Sequence, residues 1–432
     1  ESEECYLDSG TLKMVALVLF AATYLALLAF PKIRAFIAAG SAAIFVIIGA
    51  LPVEDVISTI DWNVLMMIAG TMGTVYLFIE SKMPALMADV IIDKVPNVKW
   101  AVISLALFAG IISAFVDNVA TVLMVAPVAL NISKKLGISP VPSVISIAIS
   151  SNLQGAATLV GDTTSILLGG HAGMDFLDFF VYNGRPGMFW VVQVGAIVST
   201  FVLVVLFRKE NQPVSIDQRT VVTDYFPSVL LSGTVILLIL ASFLPNKPAL
   251  INGYICMGLF LIGLIRDFIR TRDASVFVRA VKEIDFFTLL LLAGLFVVIG
   301  GITEVGIVDD IGQLFLKITD NPFIIYTLLV WMSVILSAFI DNIPYVATML
   351  PVVGTISSSL GMDPTLFYFG LLAGATLGGN LTPIGASANI TGLGILRKDG
   401  YEVKASTFMK ISVPFTLAAV TSGYILLWLI WG

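Results

Sequence analysis

Ser113-Ala114-Phe115-Val116-Asp117-Asn118 returns as Ser337-Ala338-Phe339-Ile340-Asp341-Asn342, 224 positions further along the chain. Working outward, the same offset carries Asp61 onto Asp285, Ala69-Gly70 onto Ala293-Gly294, Glu80 onto Glu304 and Pro127 onto Pro351. It also carries Gly155, Thr158 and Gly161 onto Gly379, Thr382 and Gly385. One register held over about a hundred residues marks a duplicated structural unit. In an apolar chain, a duplication centred on an Asp-Asn pair points to a membrane transporter built from two repeats.

The composition sets the class. Of 432 residues, 58% are hydrophobic and 12% charged, with a mean hydropathy of +1.01. A soluble domain carries about 25% charged residues. The expected fold class is therefore an all-α polytopic membrane protein. Two cysteines, Cys5 and Cys256, are too few for a disulfide framework or a thiolate metal site. The single histidine, His171, excludes a multi-histidine metal site. No G-x-x-x-x-G-K-[ST] loop is present, which argues against ATP-driven pumping, and no cofactor or nucleic-acid partner is expected. The acidic opening Glu1-Ser2-Glu3-Glu4 is unlike the basic start of a signal peptide, so Thr11–Phe30 reads as a retained first span.

Apolar runs place spans at about 12–30, 35–51, 62–80, 140–170 and 188–208. The second half places them at about 227–244, 249–266, 285–300, 364–394 and 409–431. Segments 99–133 and 322–356 are apolar but interrupted midway by the Asp-Asn pair. Each reads as two short helices meeting at a polar tip, a re-entrant hairpin. The domains are then a first inverted repeat over 1–208, a cytoplasmic linker over 209–226 and a second inverted repeat over 227–432. The first repeat holds hairpin 99–133 and broken helix 140–170, and the second holds hairpin 322–356 and broken helix 364–394. Residues 83–98 suit a short interfacial helix.

The positive charges test this topology. With five crossings per half and both termini outside, all but Lys13, Arg185, Lys247 and Lys317 of the 23 Lys and Arg fall on the cytoplasmic side. The cytoplasmic set includes Lys32, Arg34, Lys82, Lys134, Lys135, Arg219, Arg266, Arg270 and Arg397. An odd number of crossings per repeat turns the second copy upside down, so the two hairpin tips approach each other near the bilayer midplane.

Asp117 and Asp341 are the leading site residues, because a carboxylate at membrane depth costs several kcal/mol. The competing reading is a helix cap, since Asp and Asn both accept bonds from the free amides that open a helix. Asn118 and Asn342 add carbonyl and amide groups suited to a cation or a polar solute. A second constellation follows each hairpin. In the first half it contributes Asn152, Gly155, Thr158, Gly161, Asp162 and Thr163, and in the second Asn380, Thr382, Gly385, Ser387 and Asn389. Glycines, hydroxyls and amides inside an apolar span indicate a broken helix lining a polar cavity or buried in protein. The alternative is glycine-mediated helix packing. Asp162 has Ala386 as its repeat counterpart, so this third carboxylate breaks the symmetry. A sodium ion would find oxygens near Asn118, Thr158, Asn342 and Thr382. Asp61 and Asp285 read as caps, Glu80 and Glu304 as solvated span ends, and His171 as an external-loop residue.

The two halves resemble the ion transporter superfamily, which includes the divalent-anion/sodium symporters, arsenite permeases, NhaD-type sodium/proton antiporters and the melanosomal P protein. Ser113–Pro127, Gly155–Asp162, Asn342–Pro351 and Gly378–Asn389 look most like the arsenite permease (ArsB-like), NhaD-type and P-protein branch. Asp162-Thr163-Thr164-Ser165 departs from the Asp-Pro-Pro-Asn of P proteins, and Gly378-Gly379-Asn380 from arsenite permeases. The resemblance implies a scaffold, a moving domain that holds both hairpins, and a homodimer.

The expected function is a secondary active transporter of the cytoplasmic membrane. It would move a small inorganic ion or solute, a cation or an arsenite-like species, against a proton or sodium gradient. Helix N-termini alone favour anions, and Asp117 and Asp341 offset that preference. The alternative is a sodium-coupled di- or tricarboxylate symporter. A passive channel is disfavoured by two occluding hairpins, and an enzyme by the lack of a Ser-His or paired-His set.

Overall fold

The structure, a computed structural model, describes residues 9–214, 220–222 and 224–432. Cys5, the acidic opening, and Asp217 and Arg219 of the linker lie outside the described residues. The first half runs α1 (Ser9–Ala29), α2 (Arg34–Ile47), α3 (Val56–Thr59), α4 (Trp62–Glu80), α5 (Met83–Ile92), α6 (Val98–Ser113), α7 (Asn118–Leu136), α8 (Val141–Gly155), α9 (Thr163–Ala172) and α10 (Met188–Leu206). The second runs α11 (Phe226–Ser242), α12 (Ile251–Thr271), α13 (Ser275–Glu283), α14 (Phe286–Glu304), α15 (Ile307–Ile318), α16 (Pro322–Ser337), α17 (Asn342–Leu360), α18 (Thr365–Gly378), α19 (Ser387–Lys398) and α20 (Ala405–Trp431). The protein is an all-α polytopic membrane protein. A two-residue ribbon, Val181–Tyr182 with Arg185–Pro186, is the exception to the helical pattern among the described elements.

Equivalent sequence produces equivalent ends. Asp61 accepts from Val64 N and caps α4, while Asp285 accepts from Thr288 N and caps α14. Asn97 caps α6 and Asn321 caps α16. Gly137 and Gly361 close α7 and α17 in the left-handed conformation, at φ 67° and 64°. At the start of α5 and α15 the left-handed position is held by Lys82 (φ 60°) in one half and Gly306 (φ 75°) in the other.

The halves interlock. Helix α4 packs on α12 and α14 on α2, each a helix of the other repeat. Gly70 and Gly294 allow these crossings: a Cβ on Gly70 would come 2.5 Å from Met257 N, and one on Gly294 2.7 Å from the Ala38 carbonyl carbon. The hairpin arms α6 and α16 pack on α8 and α18, and α10 packs along α20. The second halves of the broken helices reach across, α9 onto α17 and α19 onto α7.

Among the described residues, eight helices are long and apolar enough to cross a bilayer, or nine if the α15–α16 pair, bent by 118°, counts as one. The eight include hairpin arms α7 and α17, each of 19 residues. The span expected at 35–51 starts as expected, at Arg34, but stops at Ile47, just before Gly49 turns into the left-handed conformation (φ 77°). Outward positions on the peripheral helices, such as Leu25, Phe201 and Leu429, are exposed and apolar, as a lipid-facing surface requires.

Candidate functional site

Each hairpin turns through four residues, 114–117 and 338–341, and restarts on an aspartate cap. Asp117 Oδ1 accepts from Val119 N at 3.0 Å and Ala120 N at 3.1 Å. Asp341 Oδ1 accepts from Ile343 N at 3.1 Å. In each cap one carboxylate oxygen serves the helix; the other oxygen of Asp341 is bonded to Arg34, and that of Asp117 takes no part in the cap.

The broken helices supply the opposing wall. α8 ends at Gly155 and α9 begins at Thr163, while α18 ends at Gly378 and α19 begins at Ser387. The Thr158 hydroxyl donates to the carbonyl of Ala114, and that of Thr382 to the carbonyl of Ala338. Both bonds brace a break against the neighbouring hairpin turn. The close approach requires glycine. A Cβ on Gly161 would sit 2.6 Å from Gly155 O and 2.8 Å from Ser113 O. One on Gly385 would sit 2.6 Å from Gly379 O and 2.8 Å from Ala338 O. Ser165 Oγ donates to Gly155 O at 3.3 Å, and Asn389 Nδ2 to Gly379 O at 3.0 Å, at the same repeat position.

A chain of amides links the halves. Asn118 Nδ2 donates to Asn152 Oδ1 at 2.9 Å. Asn152 Nδ2 donates to Thr376 O at 2.7 Å and Asn380 Oδ1 at 3.1 Å. Asn380 Nδ2 returns to Ile149 O at 2.9 Å. All three amides are buried, so the network fixes the tips and breaks relative to one another.

Between tips and breaks lies a cavity of about 340 Å³. Asp117, Asn118, Asp162, Thr163, Asn342 and Ser387 line it, as do Arg34, Tyr76, Glu283, Asp285 and Thr288. Of the sequence-derived site residues, Asp341, Asn152, Gly155, Thr158, Gly161, Asn380, Thr382, Gly385 and Asn389 are not on this wall. They stand behind it as its supports. The hydroxyls of Thr158 and Thr382, named as sodium ligands from sequence, donate to the hairpin carbonyls. Asp162 accepts from Thr164 Oγ1 at 2.8 Å, and Thr164 also meets Thr376 Oγ1 at 3.1 Å.

Arg34 is the main departure from the sequence reading. Its position among the basic residues predicts a cytoplasmic orientation charge, yet its Nη1 lies 2.5 Å from Asp341 Oδ2 at the hairpin tip. Its Nε is buried and has no hydrogen-bond partner among the described residues. The repeat counterpart of Arg34 is Gly258, so Asp117 has no equivalent arginine. Asp285 also does more than cap: its Oδ2 accepts from Thr288 Oγ1 at 2.6 Å, and it reaches the cavity.

Two further cavities are relevant to this site. One of about 670 Å³ shares Ile79 and Leu123 with the central cavity and is bordered by Lys82, Lys134 and Lys135. Another, of about 510 Å³, is lined by the repeat counterparts of the central wall. There Phe296, Ile299 and Thr303 stand for Met72, Val75 and Ile79, and Ala347 stands for Leu123. Asp61 and Thr59 likewise stand for Asp285 and Glu283. Glu304 and His171 face this cavity.

The sequence matches the citrate transporter family, CitMHS, over residues 24–374. The chain is 28% identical over 429 residues to an uncharacterized transporter of Mycobacterium tuberculosis, covering 97% of this chain and 99% of that protein. It is 29% identical over 435 residues to a 46 kDa membrane protein of Mycobacterium leprae, with the same coverage. The human P protein is 25% identical over 88% of this chain, and the match spans 55% of its length. In solved structures, the fold is similar to the Alcanivorax borkumensis YdaH transporter, with TM-score 0.57, 15% identity and 97% of each chain covered. It is also similar to MtrF of Neisseria gonorrhoeae, an antimetabolite efflux pump, with TM-score 0.54, 14% identity and coverage of 98% and 95%. The chain belongs to the citrate transporter family, within the ion transporter superfamily that its hairpin residues resemble, and it is a transporter rather than an enzyme.

Proposed function

We propose that this protein is a secondary active transporter of the cytoplasmic membrane, coupled to a proton or sodium gradient. The observation that carries the reading is the charge of the central cavity. Asp117, Asp162, Glu283 and Asp285 face it with one cation, Arg34. Charges so placed bind a proton or a small cation in preference to a bare anion. Asp117 and Asp162 are the coupling groups of this reading, with Asn118 and Thr163 as neutral oxygen donors beside them.

Two inverted repeats, 1–208 and 227–432, give the transport cycle its two faces. Ile79 and Leu123 line both the central and the lysine-bordered cavity, and on this reading that side is the cytoplasm. The cavity of counterpart residues around Asp61 and Thr303 is the external route. Both termini then lie outside. The ion pairs support this: Lys134 with Asp399, and Arg266 with Asp224, join segments assigned to the cytoplasm. Lys247 with Asp175, and Lys13 with Asp310, join segments assigned to the exterior. A homodimer is the assembly we expect.

A carboxylate cargo is the second reading. Arg34 presents guanidinium donors beyond the single bond to Asp341, and planar recognition of carboxylates is what arginine does well. The family description favours the same chemistry. Purified protein in liposomes, offered citrate, succinate or arsenite under imposed sodium and proton gradients, separates the readings. Gradient-dependent, saturable uptake of one cargo supports coupled transport. Flux that stays linear in cargo and indifferent to either gradient contradicts it.

A further inference from the structure

The two hairpin tips share a sequence but not an electrostatic environment. Asp341 is paired with Arg34 at 2.5 Å, and both side chains are mostly shielded. Asp117 occupies the equivalent place with no cation bonded to it among the described residues, and position 258 is glycine where the first repeat has Arg34. The groups that face Asp117 from the surrounding elements are Asp162 at the start of α9, Asp285 and Glu283 before α14, Tyr76 of α4, and Arg34 of α2. Asp162 is itself unique to the first repeat, its counterpart being Ala386. Two departures from repeat symmetry thus act in one direction. They concentrate negative charge at the first tip and cancel it at the second.

We infer that Arg34 is a specificity-determining residue that removes Asp341 from cation binding and confines the coupling cation to the Asp117–Asp162 side of the cavity. A carboxylate already bonded to a guanidinium gains little from a second cation, whereas an unpaired one at low dielectric gains much. Duplication would otherwise give two equivalent cation sites. The single arginine converts a symmetric pair into one cation site and one fixed ion pair. The inference rests on the proposed reading of the central cavity as the coupling site.

The test uses the purified full-length protein and needs no knowledge of the cargo. Thermal unfolding is followed by intrinsic fluorescence while sodium replaces choline, and separately while pH is varied from mildly acid to mildly alkaline. The size of the shift in unfolding temperature is the cation response. Arg34→Gln frees Asp341, so the response should exceed that of the wild type, and Arg34→Lys should leave it at the wild-type size. Adding D341N to R34Q should remove the gain. D341N alone should weaken the response, because it leaves Arg34 uncompensated across the cavity from Asp117. D117N should abolish the response wherever Arg34 is present, whereas D117N/R34Q should keep the part that the freed Asp341 supplies. A response unchanged in R34Q overturns the inference. So does one that D341N abolishes and R34Q/D341N fails to restore. A response that survives D117N with Arg34 in place removes the cation site itself, and the proposed function falls with it.

Discussion

Asp117 shows how much one residue can be asked to do. It caps α7 through Oδ1 and faces the cavity, so substitution by Asn separates charge from capping, since Asn caps about as well. Gly161 and Gly385 are more restricted. The atoms around each are backbone carbonyls of the break and the hairpin turn, which cannot move aside as a side-chain end can. Gly161→Ala should therefore cost about 1–3 kcal/mol by overpacking. Measured by thermal unfolding in detergent, it should lower stability more than Gly258→Ala, whose Cβ meets open space. Equal unfolding temperatures for the two variants would mean that the break is looser than described. At this scale the sequence disclosed the tips and breaks because each is written twice. Arg34 was hidden for the opposite reason. It stands next to a proline turn beside Lys32, where an arginine looks like a topology signal, and only its missing counterpart at Gly258 marks it as special.

The elements follow their local signals closely. Aspartate and asparagine caps, glycine stops and prolines set helix ends at repeat-equivalent positions in both halves. The broken helices were legible as clusters of small and polar residues, whereas the amide chain from Asn118 through Asn152 to Asn380 was not, because it joins residues from both repeats. The linker is tied down where it re-enters the described chain. Asp224 accepts from Arg266 at 2.5 and 3.1 Å and from Arg270 at 2.6 Å. The Arg266 hydrogen bonds hold its carboxyl below the usual carboxylate range, opposed by modest burial. A depressed folded-state value stabilises the fold above the unfolded value of about 3.9 and loses that contribution as pH falls through the folded one. Asp224→Asn should thus lower the unfolding temperature at neutral pH, with the difference from wild type shrinking at acid pH. A difference that grows on acidification would contradict this ion-pair account.

For the whole molecule, the proposed cycle uses the repeat to exchange two access routes. Ile79 and Leu123 line both the central cavity and the lysine-bordered one, and their counterparts Thr303 and Ala347 line the cavity around Asp61. In a background with Cys5 and Cys256 replaced by serine, Thr303→Cys should react with an impermeant thiol reagent added outside sealed right-side-out vesicles. Ile79→Cys should react only in inverted vesicles. The reverse pattern would turn the protein over in the membrane. Charge distribution along the chain predicts a sidedness that this labelling tests, but composition could not reveal which carboxylates share a cavity. The central claim is that Asp117 carries the coupling charge, and one comparison tests it most directly. Wild-type and Asp117→Asn proteins are reconstituted in parallel, and cargo-driven sodium or proton movement is recorded for whichever of citrate, succinate or arsenite the wild type carries. The account predicts saturable coupled flux in the wild type and none in Asp117→Asn, at comparable reconstitution. Equal coupled flux in the two proteins would contradict it.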